Sequence, residues 1–329
     1  MRFCDRMRGP RQQAAGGIGL FAAMLALAPL PAAALDKVKV GIPATEAFSF
    51  MAADFGDHLG IYAKNGVEVE RVILLGSAKL HQAMTAGAID IAAGAGTDFA
   101  FLVKGAPELA VAQSAGPPLD MGFVVPYDSP AKSSNDLEGK KLGISTMGAL
   151  TDWLAHRLTQ VKGWNPKDLV EVTVGSDKAA EASYIITHQI DAMITGASSG
   201  LQLEETKRGR LLFPASEIVG DFVDHAIFAT DTIMKNDPEA VRGFLKGWFE
   251  TIAYERAYRD ETIAYAVTAM RRSRAIETKE YDLVMPMFSA DGKFQASGLK
   301  VLARSFVELG QLDSEPDLTK YYTEAYLPK

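Results

Sequence analysis

From residue 38 onward, short β-branched apolar runs alternate with stretches of helical spacing. Val38–Ile42 reads as a buried strand. Ala47–Lys64 carries apolar positions at helical spacing and stops at Asn65-Gly66, a helix C-terminal signal. Val67–Leu74 alternates as a strand, Ser77 can cap a helix running through Gly87, and Ile89–Ala93 is the next strand. The order then recurs: strand Lys141–Ser145, a helix through Lys162-Gly163, strand Val170–Val174, helix Lys178–His188 and strand Ala192–Thr195. Strands alternating with helices at this spacing predict parallel α/β sheets.

The recurrence is an internal repeat. Val40-Gly41-Ile42-Pro43 returns as Leu142-Gly143-Ile144-Ser145, and Gly76-Ser77-Ala78-Lys79 as Gly175-Ser176-Asp177-Lys178. Ala88-Ile89-Asp90 returns as Gln189-Ile190-Asp191, and Gly94-Ala95 as Gly196-Ala197, each roughly 100 residues on and in the same order. One copy makes one small lobe, so two copies predict two lobes. The strand-like stretches Met121–Tyr127 and Val223–Thr230 read as crossovers between them, the hinge strands of a clamshell. The expected division is 35–122 with 224–329 as lobe I and 123–223 as lobe II. Asp237-Pro238 opens a helical C-terminal block that folds back on lobe I. Its stripe Val241, Phe244, Leu245, Trp248, Phe249, Ile252 is a packing face.

The N-terminus changes the bulk numbers. Arg2, Arg6, Arg8 and Arg11 precede an apolar run from Ile18 to Leu30 and the small residues Ala32-Ala33-Ala34, the layout of a secretory signal peptide over residues 1–34. The run is too short for a spanning helix. Cleavage after Ala34 removes four arginines and one aspartate, so the −7 of the chain becomes about −10 for the remainder. Cys4, the only cysteine, leaves with it, which excludes disulfides, thiolate nucleophiles and cysteine-held metals from the remainder. An acidic chain whose one basic cluster is Arg271-Arg272-Ser273-Arg274 argues against nucleic acid.

Several stretches resemble the nitrate/sulfonate/taurine and thiamine-precursor group of periplasmic binding proteins. They are Leu59-Gly60-Ile61-Tyr62-Ala63-Lys64-Asn65-Gly66-Val67-Glu68-Val69; Gly76-Ser77 with Ala83, Gly87 and Ile89-Asp90-Ile91; Asp136-Leu137-Glu138-Gly139-Lys140-Lys141-Leu142-Gly143-Ile144; and Asp237-Pro238-Glu239-Ala240-Val241. The resemblance implies a type II periplasmic-binding-protein fold, α/β in class, that closes on a small-molecule ligand as a monomer. It implies a periplasmic location, no cofactor, and delivery to a separate ABC permease driven by a separate ATPase. The absence of a G-x-x-x-x-G-K-[ST] phosphate loop agrees with an ATPase on another chain.

In α/β lobes, ligands gather beyond the carboxyl ends of the strands, where helix N-termini offer free N–H groups. That rule selects Glu46 and Phe48 after the first strand, Ser77, Thr97 and Asp98 in lobe I, and Thr146, Gly148, Thr151 and Ser198 in lobe II. Each has a plainer reading: Ser77, Thr97 and Asp98 as caps, Glu46 as a first-turn charge, Phe48 as core, and Trp153 beside Thr151 as core. Sulfonate binders of the group often carry Gly-Ser followed by Thr or Ser where this chain has Gly148-Ala149-Leu150. With those hydroxyls missing and Glu46 and Asp98 near the cleft, the expected ligand is not a simple sulfonate or nitrate but carries an amine or other donor.

Gly196-Ala197-Ser198-Ser199-Gly200 matches G-x-S-x-G, but the one histidine after it is His225 on a crossover, and the chain then turns helical, which argues against a hydrolase triad. His58, His81, His156 and His188 show no metal-binding spacing, so no metal is expected. A pyrimidine synthase of the same fold would carry a cysteine-rich motif that is lacking here. A periplasmic sensor module working through a separate membrane partner is the other alternative. No catalysis is expected.

Overall fold

The computed structural model describes residues 35–329 except 45, 75, 148 and 176. The expected signal segment 1–34 and the expected site residue Gly148 lie outside the described residues. Ten strands build two five-stranded sheets. They are β1 (Asp36–Ile42), β2 (Val67–Ile73), β3 (Ile91–Ala95), β4 (Glu108–Ala115), β5 (Met121–Pro126), β6 (Lys141–Ile144), β7 (Val170–Thr173), β8 (Ala192–Gly196), β9 (Gly209–Pro214) and β10 (His225–Thr230). The first sheet runs β2-β1-β3-β10-β4 and the second β7-β6-β8-β5-β9.

The two orders are the same order twice. β1 pairs in parallel with β2 and β3, as β6 does with β7 and β8. β10 runs antiparallel between β3 and β4, as β5 does between β8 and β9. Each sheet therefore takes one antiparallel strand from beyond a crossover. The repeat has an atomic cause: the Lys39 N–H donates to Asp90 Oδ2 at 2.9 Å, and the Lys141 N–H donates to Asp191 Oδ2 at 2.8 Å. The aspartate of each repeated Ile-Asp thus ties the entry to its third strand onto its first. Fully buried Val38, Val40, Ile91, Leu142, Ile144 and Ala192 fill the middle of the sheets, as the apolar runs predict.

The local departures have local causes. The helix expected over 47–64 is broken into a 3-10 turn Phe48–Phe50 and helices Ala52–His58 and Ile61–Lys64. Gly60 at φ 67° makes the break, a left-handed conformation in which other residues are strained. Gly76, at φ 90°, takes the N-cap position of the helix Ser77–Thr85, and Ser77 is its first helical residue with no capping hydrogen bond. Asp177 caps the helix Lys178–Ile186 by accepting from the Ala180 N–H at 2.8 Å. β4 and β9, the antiparallel edges, were not foreseen in the sequence pattern.

The C-terminal block works on both sheets. Asp237 accepts from the Ala240 N–H at 3.1 Å and opens the helix Pro238–Ala257. The stripe Val241, Phe244, Leu245, Trp248 is fully buried, and Phe244 stacks on Tyr62 at 5.4 Å. Burial of side chains this size is worth about 1.5–3 kcal/mol each. The helix Leu150–Lys162 carries Trp153, which stacks on Phe222 at 5.2 Å and donates from Nε1 to Glu308 Oε2 at 2.6 Å. Trp153 is therefore core, packed against the helix Ala296–Glu308. No helix among the described residues is long and apolar enough to cross a membrane.

Both crossovers are pinned where they enter a sheet. The Gly96 N–H donates to the Asp224 carbonyl at 2.7 Å, and the Ala197 N–H donates to the Asp120 carbonyl at 2.7 Å. A Cβ at Gly96 would lie 1.7 Å from the Val223 carbonyl oxygen, a contact no side-chain movement relieves. Gly96→Ala is expected to cost about 3 kcal/mol, the upper end of overpacking penalties, read as a lower urea midpoint. A loss below about 1 kcal/mol would show that the crossover yields.

Candidate functional site

Where the carboxyl ends of β1 and β2 face those of β7 and β8, a cleft of about 1010 Å³ opens. The loop after β1 supplies Glu46, Phe48 and Ser49, and the helices after β7 and β8 supply Lys178, Glu181, Ser198, Ser199 and Gln202. Asp120, at the first crossover, lies at the base, and Arg272 and Glu280 come in from the C-terminal block. The helix Arg274–Val284 reaches the helix Ala197–Glu205 through Lys279, whose Nζ lies 2.9 Å from Glu204 Oε1. The wall is thus assembled from segments far apart in sequence.

Its charges are mostly spoken for. Lys178 Nζ lies 2.9 Å from Glu181 Oε2, which also accepts from Thr195 Oγ1 at 2.9 Å. Arg272, 8 % exposed, pairs with Glu280 and with Glu277 at 3.3 Å, and donates to the Glu46 carbonyl. Burial pushes the Glu280 carboxyl up to about 8 against the pull of Arg272. At the base, Ser49 Oγ donates to Asp120 Oδ2 at 2.6 Å, and His225 Nε2 lies 2.9 Å from the same oxygen and 3.3 Å from Asp224 Oδ2. Burial alone would raise Asp120, yet the charge and donors of His225 hold it at about 2. Burial would lower His225, and the two carboxylates instead raise it to about 9. Burial, with Asp120 beside it, pushes Asp224 well above its usual value.

Of the residues expected from sequence, Glu46, Phe48 and Ser198 line this cleft. Glu46 sits at φ 51° with its carboxylate 3.9 Å from Arg271 Nε. Phe48 is 3 % exposed and packs edge-on to Tyr281 at 6.3 Å, so it is chiefly core with one edge on the cleft. Ser77, Thr97, Asp98, Thr146 and Thr151 are not among the described lining residues. Thr146 is exposed, and Ser77 and Thr97 are half-buried. Asp98 turns inward: its Oδ2 accepts from the Ala95 N–H at 3.1 Å and lies 3.1 Å from buried His81. Thr151 Oγ1 accepts from the Ser145 N–H at 2.9 Å, which shapes the turn after β6.

Sequence reasoning missed Ser49, Asp120, Gln202, Arg272 and Glu280. Asp120 had a signal, an acid immediately before a predicted crossover strand; the others had none. The G-x-S-x-G segment gains no support as a nucleophile elbow. Ser198 lies within the first turn of a helix and is not among the residues with positive φ, and His225 is held between Asp120 and Asp224.

The model of the NMT1/THI5-like family matches residues 48–261. Among curated proteins, none matches the sequence. Among solved structures, the chain is similar to the periplasmic aliphatic sulphonate binding protein SsuA from Escherichia coli, with TM-score 0.73 and 16 % identity over 87 % of this chain and 91 % of that one. It is similar to the alkanesulfonate-binding SsuA from Xanthomonas axonopodis pv. citri bound to MOPS, with TM-score 0.71 and 16 % identity over 89 % and 99 %. It is also similar to the nitrate-binding protein NrtA from Synechocystis PCC 6803, with TM-score 0.65 and 15 % identity over 89 % and 87 %. Two sheets of one topology facing each other across a cleft are the periplasmic-binding-protein fold, and the chain belongs to the NMT1/THI5-like family.

Proposed function

We propose that this chain is the solute-binding component of an ABC importer, exported through a cleavable signal peptide and acting in the periplasm as a monomer. It captures a small polar organic solute by closing two lobes, 35–122 with 224–329 against 123–223, and hands it to a permease served by a separate ATPase. The observation that carries this reading is the cleft itself. About 1010 Å³ lies beyond the carboxyl ends of both sheets, with wall residues from each, the place where open α/β sheets bind ligands. Exposed polar contacts between the C-terminal block and the helix Ala197–Glu205, Lys279 with Glu204 and Ser273 with Glu205, suit two parts that separate and rejoin. The likeness to sulfonate and nitrate binders supports a binding role.

The wall chemistry favours a solute with a donor group. Lys178 and Arg272 already face carboxylates, so they are poorly placed to neutralise a sulfonate or nitrate, whereas the exposed Glu46 carboxylate, with Arg271 Nε no nearer than 3.9 Å, offers an acceptor, and the Ser198 and Ser199 hydroxyls can serve either partner. In a thermal-shift screen of amines, carboxylates, sulfonates and pyrimidines, the cognate solute at a hundred times its Kd is expected to add about 2.7 kcal/mol of stability. Ser198→Ala and Glu46→Ala should each weaken its binding about 5- to 20-fold by calorimetry while the ligand-free melting temperature holds. Tight binding of taurine would defeat the donor-group reading. Turnover of any compound by the purified protein would end the binding-protein reading.

A further inference from the structure

The two crossovers each enter their sheet on an aspartate, and the fold brings these aspartates together. Asp120 precedes β5 in the second sheet and Asp224 precedes β10 in the first. His225, the next residue, turns Nε2 between them, 2.9 Å from Asp120 Oδ2 and 3.3 Å from Asp224 Oδ2. We propose that Asp120, Asp224 and His225 form a binding site for one divalent transition-metal cation, zinc foremost, at the base of the cleft.

Three observations carry it. The first is spacing: zinc binds imidazole nitrogen and carboxylate oxygen at about 2.0–2.2 Å in a tetrahedron, so its ligand atoms lie about 3.3–3.5 Å apart. Here His225 Nε2 lies 2.9 Å from Asp120 Oδ2 and 3.3 Å from Asp224 Oδ2, and one ligand atom from each of the three residues lies within 4.8 Å of the other two, so small side-chain shifts would close the set on one ion. The second is a buried acceptor whose neighbouring donor, the His225 edge at 3.3 Å, makes no well-formed hydrogen bond to it. The Asp224 side chain is 1 % exposed, and its Oδ2, aimed at the cluster, has no hydrogen-bond partner. Asp120 Oδ1 is likewise buried and unpartnered. Two acids buried side by side repel when both are ionised, and a divalent cation between them removes that repulsion. The third is access with rigidity: Asp120 lines the cleft, which leaves a route in, while the Phe50 ring lies 4.9 Å from the His225 ring and restricts its rotation.

The donor set selects the metal. One imidazole and two carboxylates suit zinc and its first-row neighbours, whereas calcium and magnesium take six or more oxygens, including water. Such an ion would join one crossover to the other and stiffen the passage between the sheets. The proposal stands apart from the solute reading, since a chain that takes up zinc but no solute would keep the former and lose the latter.

A second cluster is the natural competitor. His156 Nε2 lies 3.3 Å from Asp152 Oδ1 and 3.5 Å from Glu171 Oε1, with the His156 side chain 45 % exposed. The test is therefore comparative. Calorimetry of chelator-treated full-length protein titrated with Zn²⁺ should show one ion per chain with Kd of about 1 µM or tighter. His225→Gln and Asp224→Asn should each weaken that event at least about 100-fold, and His156→Gln should leave it unchanged. Cobalt in place of zinc should give the visible absorption of a tetrahedral site, lost in the same two variants. If Asp224→Asn fails to fold, Asp120→Asn takes its place. Absence of stoichiometric binding, binding untouched by His225→Gln, or binding lost in His156→Gln would each overturn the proposal.

Discussion

His81→Leu is expected to cost about 3–5 kcal/mol of folding stability, the range for removing one partner of a buried ion pair. His81 is 2 % exposed, with Nδ1 2.6 Å from Glu108 Oε1 and Nε2 3.1 Å from Asp98 Oδ2. Both carboxylates are buried as deeply as the ring, and the ring is held by Phe101 stacked at 4.6 Å and by the edge of Phe228 at 5.2 Å. Leucine fills the volume but leaves two acids with no cation, and at neutral pH they must ionise unpaired or take up protons. Urea denaturation followed by circular dichroism measures the loss. Glu108→Gln in the His81→Leu background should recover part of it, because the stranded charge is then gone. A single-variant loss below about 1 kcal/mol would mean that the triad is not a working ion pair.

Stability should also fall as pH rises from about 5.5 to about 9, and the sign follows from which state holds more protons. For His81, burial works against charge, but hydrogen bonds to Asp98 and Glu108 and their charges outweigh it and raise its pKa to about 9. Its contribution is fully present below the unfolded value of 6.5 and is lost as pH passes 9. Burial raises Glu255 to about 8 against Arg256. Glu280 rises to about 8 by burial against Arg272, with Glu277 and Asp120 adding to the rise. Both acids hold a proton in the folded chain that the unfolded chain has released above 4.5, so they act in the same direction. From His81 alone the loss is of order 3 kcal/mol. Chemical denaturation at the two pH values reads it directly. Equal or greater stability at the alkaline end would contradict the argument, and His81→Leu should flatten the slope.

Much of the fold was legible because it is repeated and local. β-branched runs at Val38–Ile42 and Lys141–Ser145, helical spacing between strands, and Asp237-Pro238 before an apolar stripe each report short-range preferences. A duplicated order makes two weak readings support each other. What failed was also local but finer: whether Gly60 breaks a helix, or whether Gly76 rather than Ser77 holds the cap, depends on a backbone angle that spacing does not encode. The edges β4 and β9 were missed because strand partners far away in sequence define them.

The site was legible only in outline. The rule that ligands gather beyond strand ends placed Glu46, Phe48 and Ser198 on the cleft. The same rule selected Asp98 and Thr151, which sit at strand ends yet spend their polar atoms inward, Asp98 toward His81 and the Ala95 N–H and Thr151 on Ser145. Choosing between solvent and core for a side chain at a strand end requires knowing what packs behind it.

The amino-acid sequence alone determined the class of fold, the duplication, the crossovers and the family, since these follow from hydrophobic periodicity, glycine positions and short motifs acting over a few residues. Only the tertiary structure decided that Asp120, Asp224 and His225 meet, that Arg272 enters the cleft already paired, and that His81 lies between two buried acids. Those meetings join residues up to about a hundred positions apart, and such partners are chosen by the packing of whole elements and the cost of burying charge unpaired, which no local pattern carries.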